Sequence, residues 1–117
     1  MKSKKPLPGF TVRRLKPEDA IEVSRCAYLT YGHAYENFIY YPEQIRSMNE
    51  TGEMLSLVAI SSDGEFMGHI AAKRDQPGGP IAELGVLLVA PAFRSRGVGD
   101  RMAQEIITVA RASGVLS

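Results

Sequence analysis

Cysteine is nearly absent from this chain. The single one, Cys26, has no partner for an internal disulfide, which suits a reducing compartment. It falls in an apolar-periodic stretch, and neither histidine is placed by a local motif to serve it, so it reads as a small buried hydrophobe and not as a catalytic thiol. Net charge is nearly absent too. Fourteen Lys and Arg against thirteen Asp and Glu leave +1, which argues against a general attraction to nucleic acid or to an anionic membrane. Any polyanion must therefore be met by a local site. Long hydrophobic runs are missing: the basic start, Met1 to Pro6, is followed by no apolar stretch, so it is no secretory signal, and no run could span a bilayer. A cytoplasmic location is the expectation. No His, Cys and carboxylate spacing suggests a metal site.

What remains is ordinary globular material: 117 residues, 44% hydrophobic and 23% charged, enough for one small domain with a modest core. Residues 1–9, with three lysines, two prolines and a glycine, read as a flexible leader to a domain spanning 10–117. A strand is expected over Phe10 to Leu15. Pro17-Glu18-Asp19 then marks a helix start, with proline in the first turn and carboxylates at the positive end of the dipole. Ala20, Ser24, Ala27 and Tyr31 share one helical face, and Gly32 supplies a stop. A second helix runs from Pro42 to about Asn49 and ends near Gly52. Met54 to Ile60 and Glu65 to Lys73 read as antiparallel strands joined at Asp63-Gly64. Pro77-Gly78-Gly79-Pro80 forces another turn. Ile81 to Val89 is nearly continuous apolar sequence, a strand expected to be buried on both faces. Helical spacing returns with Val98, Met102, Ile106 and Val109 or Ala110, with Gly114 as a stop. The order is β-α-α-β-β-β-α, an α+β arrangement.

The segment Arg94-Ser95-Arg96-Gly97-Val98-Gly99-Asp100 carries the chemistry. A buried strand ends, a short loop intervenes, and a helix begins near Gly97. The first N–H groups of that helix lack intrahelical partners, and the dipole makes this end positive. Glycines at 97 and 99 remove side chains that would hold an anion away, and Arg94 and Arg96 add positive charge. The turn is built for a phosphate or pyrophosphate. A Walker loop needs Lys and then Ser or Thr after its last glycine, where this chain has Asp100 and Arg101. A dinucleotide fingerprint needs a third glycine where this chain has Met102. Both are therefore disfavoured, and with them a nucleotide-binding protein.

The pattern Arg94-x-x-Gly97-x-Gly99, between the strand end Leu87-Leu88-Val89-Ala90-Pro91 and a helix, resembles the acetyl-CoA motif of the GNAT N-acetyltransferase superfamily. The element order and the opening Arg13-x-Leu15-x-Pro17-Glu18-Asp19 fit the same family. The resemblance implies a GNAT-like, mostly antiparallel sheet with flanking helices, acetyl-CoA as cofactor, and transfer of the acetyl group to a primary amine by direct attack. It implies that Arg94 through Asp100 wrap the pyrophosphate, largely with backbone N–H groups. It further implies that the fourth strand is bulged, so that the backbone of Leu87, Leu88 and Val89 meets the pantetheine arm. The Leu87 N–H would then point at the thioester carbonyl oxygen. Asp100, beside phosphate, departs from favourable electrostatics and is expected to face outward, where it suits a first helical turn.

Amine attack needs a neutral amine, and an alkylamine with a pKa near ~10 is almost wholly protonated at neutral pH. Glu83 is the candidate base: it is the one acid in the apolar strand, and burial there would raise its pKa. Family members with a catalytic glutamate on this strand carry it eleven positions before the motif, as Glu83 stands before Arg94. The competing reading is a structural carboxylate at a strand end. All five tyrosines, Tyr28, Tyr31, Tyr35, Tyr40 and Tyr41, lie between positions 28 and 41. In the resembling family the link between the first two helices lines the acceptor side, so Tyr35, Phe38 and Tyr40, together with His69, are the candidate acceptor-binding residues. Tyr28 and Tyr31 are expected to pack the helix onto the sheet. The family pattern continues with a further strand, a helix and a closing hairpin, so the chain reads as the first two-thirds of the domain. Its apolar strand 81–89 would then leave a sticky edge, to be covered by further chain or by a second copy. A non-catalytic CoA-binding or interaction module is the alternative function.

Overall fold

The computed structural model describes residues 9–32, 38–74 and 81–112, with the backbone alone for 38, 81–83 and 86. The expected leader, the Pro77–Pro80 turn, Gly114, His33 and Tyr35 lie outside the described residues. The chain forms β1 (Phe10–Arg14), a 3-10 turn (Pro17–Asp19), α1 (Ala20–Tyr31), a second 3-10 turn (Phe38–Tyr40) and α2 (Pro42–Thr51). It continues with β2 (Met54–Ser61), β3 (Phe66–Arg74), β4 (Ile81–Val89), a 3-10 turn (Pro91–Phe93) and α3 (Val98–Ala112). The expected order β-α-α-β-β-β-α is what the chain adopts. Strands pair in sequence order, β1-β2-β3-β4, and every pairing is antiparallel.

The sheet is covered on both faces because its strands are apolar at successive positions, not at alternate ones. Met54, Val58, Ala71 and Leu88 pack with Val23, Cys26 and Ala27 of α1 and Ile45 of α2. Leu57, Ala59, Ile70 and Ala72 pack with Phe93 and with Val98, Met102 and Ile106 of α3. Gly68 permits the close approach of α3: a Cβ there would stand 2.7 Å from both the Leu88 carbonyl oxygen and Met102 Cε. Arg101 of α3 also lies over the Phe10 ring, 5.2 Å from its centroid.

The entry to α1 is held electrostatically. Asp19 accepts from Arg13 Nη1 at 2.7 Å, from Arg13 Nη2 at 3.2 Å and from the Lys16 N–H at 2.7 Å. Burial alone would raise the Asp19 pKa, but these donors outweigh it and the carboxyl is held below its ordinary value. Pro17 therefore opens a 3-10 turn, and the α-helix proper begins at Ala20.

Two expectations are corrected. Tyr28 and Tyr31 do not pack the helix onto the sheet: they are 48% and 41% exposed. The buried face of α1 is made of small residues, Ala20, Ser24 and Ala27 with Val23 and Cys26, which brings the helix close and turns the large rings to its flank. Tyr28 instead meets Tyr40 edge-on, with centroids 6.4 Å apart. Strand β4 is not buried on both faces throughout, since Leu84 and Leu87 are 46% and 47% exposed. Among the described residues β4 is the edge of the sheet.

Candidate active site

The register between β3 and β4 contains a bulge where the sequence places its chemistry. His69 stands opposite Leu88 and Ala71 opposite Gly85, with a register shift between them. Two residues of β4, Val86 and Leu87, therefore oppose the single Ile70. Such a bulge takes a residue out of the ladder and re-aims the residues beyond it. The Leu88 side chain remains buried on the α1 and α2 face. Leu87 and Val89 flank Gly99 at the start of α3, where a Cβ on Gly99 would meet both at 3.7 Å.

Beyond Val89 the Ala90 N–H donates to the Met67 carbonyl at 2.8 Å and extends the strand by one residue. Buried Phe93 then fastens the loop to the α3-side core. The next residues adopt an uncommon backbone: Arg94 is extended, Ser95 has φ 60° and Gly97 has φ 89°. Left-handed residues set among right-handed or extended ones turn successive N–H groups to one side, forming an anion-binding concavity. The Arg101 N–H donates to the Gly97 carbonyl at 3.1 Å, so Gly97 stands at the start of the helix and the N–H groups after it lack intrahelical acceptors. The resulting cavity, about 580 Å³, is lined by Leu87, Val89 and Phe93 together with Arg94, Ser95, Gly97, Gly99 and Asp100.

Within the cradle, the predicted residues divide by role. Val98 is buried in the α3 core, so only its backbone can serve the cavity. Arg94 is engaged as a brace: its Nε donates to the Val89 carbonyl at 3.0 Å and its Nη2 to Thr30 Oγ1 at 2.9 Å. It ties the turn to the end of β4 and to the last turn of α1. Arg96 Nη1 donates to the Ala92 carbonyl at 3.4 Å. Asp100 is exposed and contributes to the cavity wall instead of standing apart from it. Cys26 lies beneath the brace. Burial pushes its thiol pKa up, against the opposing pull of a Thr30 hydrogen bond and the Arg94 charge, in keeping with an unreactive thiol.

Glu83 stands on β4 opposite Lys73; its side chain is outside the described residues. On the acceptor side, Phe38 contributes the first residue of a 3-10 turn and Tyr40 is half-buried against Tyr28. His69 is fully buried and not an open wall of a cleft. Its Nε2 lies 2.9 Å from Ser56 Oγ. Asn49 Nδ2 donates to that same oxygen at 3.1 Å, and Asn49 Oδ1 accepts from the Ser56 N–H at 2.8 Å. Ser56 Oγ thus links the Asn49 carboxamide to the His69 ring. Neither the Asn49–Ser56–His69 chain nor the Thr30 brace has a local sequence signal, because each joins residues from separate elements.

A strand bulged near its middle and leading to an N–H cradle at a helix start defines an α+β fold with a place for an anionic group beyond the strand's end. The chain matches the Acetyltransferase (GNAT) family over residues 19–117 and belongs to it. Its structure is similar to that of a GNAT family acetyltransferase from Brucella melitensis in complex with acetyl-CoA, with TM-score 0.72 and 27% identity over 93% of this chain and 73% of that one. It also resembles the PaiA N-acetyltransferase of Thermoplasma acidophilum in complex with coenzyme A, with TM-score 0.65 and 22% identity over 92% and 75% of the two chains. The Escherichia coli GNAT family N-acetyltransferase YhbS, in complex with CoA, aligns with TM-score 0.72 and 17% identity over 97% and 62%. No curated protein matches the chain. Among the described residues no helix is long and apolar enough to cross a membrane.

Proposed function

We propose that this chain is an acetyl-CoA-dependent N-acetyltransferase acting on a primary amine by direct attack. The observation that carries the reading is the union of a backbone bulge at Val86–Leu87 on β4 and a left-handed turn at Ser95–Gly97 in the loop that follows it. The fit of the residues to the cofactor is good at the phosphate end, where N–H groups converge and no side chain stands on Gly97 or Gly99. Acetyl-CoA would supply an activated acetyl thioester. The residues after Gly97 hold its pyrophosphate through backbone N–H groups, with Arg94 keeping the turn in place. The Leu87 N–H would donate to the thioester carbonyl oxygen, where negative charge would grow during attack. Glu83 takes the proton that the amine must lose, directly or through water, and as the amide C–N bond forms the C–S bond would break to release coenzyme A as its thiol. Tyr35, Phe38 and Tyr40 are assigned to the acceptor side. His69, sealed beneath the sheet surface, acts there only through the groups around it. The exposed β4 edge is completed by a further strand, from the same chain or from a second copy.

Glu83→Gln tests the assignment. Calorimetric titration of acetyl-CoA should give unchanged affinity, while thiol release with a panel of primary amines should fall by about 10²–10⁴-fold. Undiminished turnover would remove Glu83 from the mechanism. Absence of acetyl-CoA binding by the unaltered chain would overturn the reading as a whole, and binding without turnover on any amine would favour a non-catalytic CoA-binding module.

A further inference from the structure

At the other end of the sheet lies a second cavity, of about 280 Å³, whose lining includes Arg14, Asn49, Gly52, Leu55, Ser56 and Arg74. It occupies the space where β1 has left the edge of β2. The last contact between them is the Leu15 N–H donating to the Ser56 carbonyl at 3.0 Å, and the Asn49 carboxamide takes over the Ser56 N–H. Strand alternation puts both arginines on the same face. Phe10 and Val12 belong to the α3-side cluster, as do Leu55, Ile70 and Ala72, and Arg14 and Arg74 continue those two series.

Among the described residues, the charges of these arginines are unmatched. Arg13, Arg25 and Arg101 are paired with Asp19, Glu22 and Glu105 respectively. Among the described residues, the guanidinium groups of Arg14 and Arg74 have no carboxylate or carbonyl partner. Among the described residues no acid lines the cavity, and Glu50 and Glu53 are not part of its wall; Asp75, next to Arg74, lies outside the described residues. Two forked donors therefore approach one cavity from β1 and β3, across a floor set by Leu55 on the strand between. Guanidinium groups match planar carboxylates and phosphates bidentately, and donors carried on strands are held more firmly than donors on loops.

We propose that Arg14 and Arg74 form a binding site for a small oxyanion, a carboxylate or a phosphate group, separate from the acetyl-CoA cradle. The separation is large. Arg74 pairs with Ile81 at one end of the β3–β4 ladder and Gly68 with Val89 at the other, so the ends of the ladder on which the site and the cradle lie are about 20 Å apart along β3. Anion binding at the two places can be read independently.

The experiment is a titration of the ¹⁵N-labelled chain with inorganic phosphate and, separately, with succinate, monitored by NMR at constant ionic strength and with chloride as control. Saturable shifts are expected at the Gly52 and Leu55 amides and at the Asn49 side-chain amide. Arg14→Gln and Arg74→Gln should each weaken that response about tenfold or more, while the response of Gly97 and Gly99 is unchanged. Both side chains lack charged partners among the described residues, so both variants should fold. Saturation by phosphate alone would identify a phosphate ligand, and saturation by succinate alone a carboxylate. The proposal is overturned if only Gly97 and Gly99 respond, if chloride produces the same shifts, or if neither substitution alters the binding.

Discussion

Gly97 and Gly99 lie two positions apart in the same motif, and the structure gives them different tasks. Gly97 has φ 89°, and a Cβ added there would meet nothing within 4 Å. Gly97→Ala therefore creates no clash; its penalty is that of forcing an L-residue into left-handed backbone, about 1–2 kcal/mol. In a domain of this size that lowers Tm by about 4–8 °C per kcal/mol, or roughly 4–16 °C. Relief of the strain would rotate the peptide units of the turn, so the N–H groups would no longer converge. Loss of a single charge-assisted hydrogen bond, about 1.5–3 kcal/mol, weakens acetyl-CoA binding by tenfold or more. Gly99 lies within α3, and its added Cβ would sit in ordinary contact with Leu87 and Val89 at 3.7 Å. Gly99→Ala should leave Tm unchanged or raise it, because alanine is favoured over glycine in a helix by about 0.5–1 kcal/mol. It should nonetheless weaken acetyl-CoA, since its methyl group enters the cavity wall. Thermal unfolding and calorimetric titration of both variants separate the effects. If Gly97→Ala leaves stability and affinity intact, or Gly99→Ala destabilises equally, the backbone argument for the cradle is wrong.

Two further outcomes come from the packing. Asp19→Asn removes the charge that holds Arg13 and weakens the cap on Lys16, and should destabilise by about 1–3 kcal/mol at pH 7. Because the Asp19 pKa is lowered in the folded state, its contribution is present above the unfolded value near ~4 and is lost as pH falls through the folded value. Urea midpoints measured from pH 7 to pH 2 should show a shallower acid limb in Asp19→Asn, and parallel curves would contradict the assignment. Leu88→Ala should cost about 2–5 kcal/mol as a core deletion, whereas Leu87→Ala, at a half-exposed position, should stay within about 1 kcal/mol. Chemical denaturation of the pair checks the direction in which each side chain leaves the bulge, and equal losses would refute it.

Much of the fold was legible because its boundaries are marked by residues with strong backbone preferences. Ile81–Val89 is framed by Pro80 and Pro91, and the strand begins and ends where those prolines require. Gly32 and Gly52 likewise stand just beyond the ends of α1 and α2. The cradle was legible in its glycines but only in part. Nothing about a serine announces positive φ, yet Ser95 adopts it. The exposure of Leu84 and Leu87 was also illegible: a continuous apolar run reads the same in a central strand and in an edge strand, and edge position is a property of the sheet. The phase of α1 was misjudged at Tyr28 and Tyr31 because large apolar rings look like core. The face that fits closest to the sheet is the one with the smallest side chains. The Asn49–Ser56–His69 chain escaped the sequence because its members are brought together only by strand register and helix docking.

The two halves of the candidate site are mechanically one piece. The bulge and the cradle are both extensions of β4, whose inner edge is locked to β3 and whose Leu88 is anchored between α1 and the sheet. Arg94 then joins the end of β4 to the last turn of α1 through Val89 and Thr30. A molecule gripped at the turn is therefore presented to the bulge at a distance set by strand geometry and not by a loop. The half-exposed leucines at 84 and 87 acquire a meaning in that frame. An apolar strand edge is a hazard for association in an ordinary sheet, but along a strand bulged at this position it offers an extended ligand both backbone groups and an apolar wall. The part of that edge from the bulge onward is thus what the proposed reaction requires to stay open, whatever strand completes the part before it.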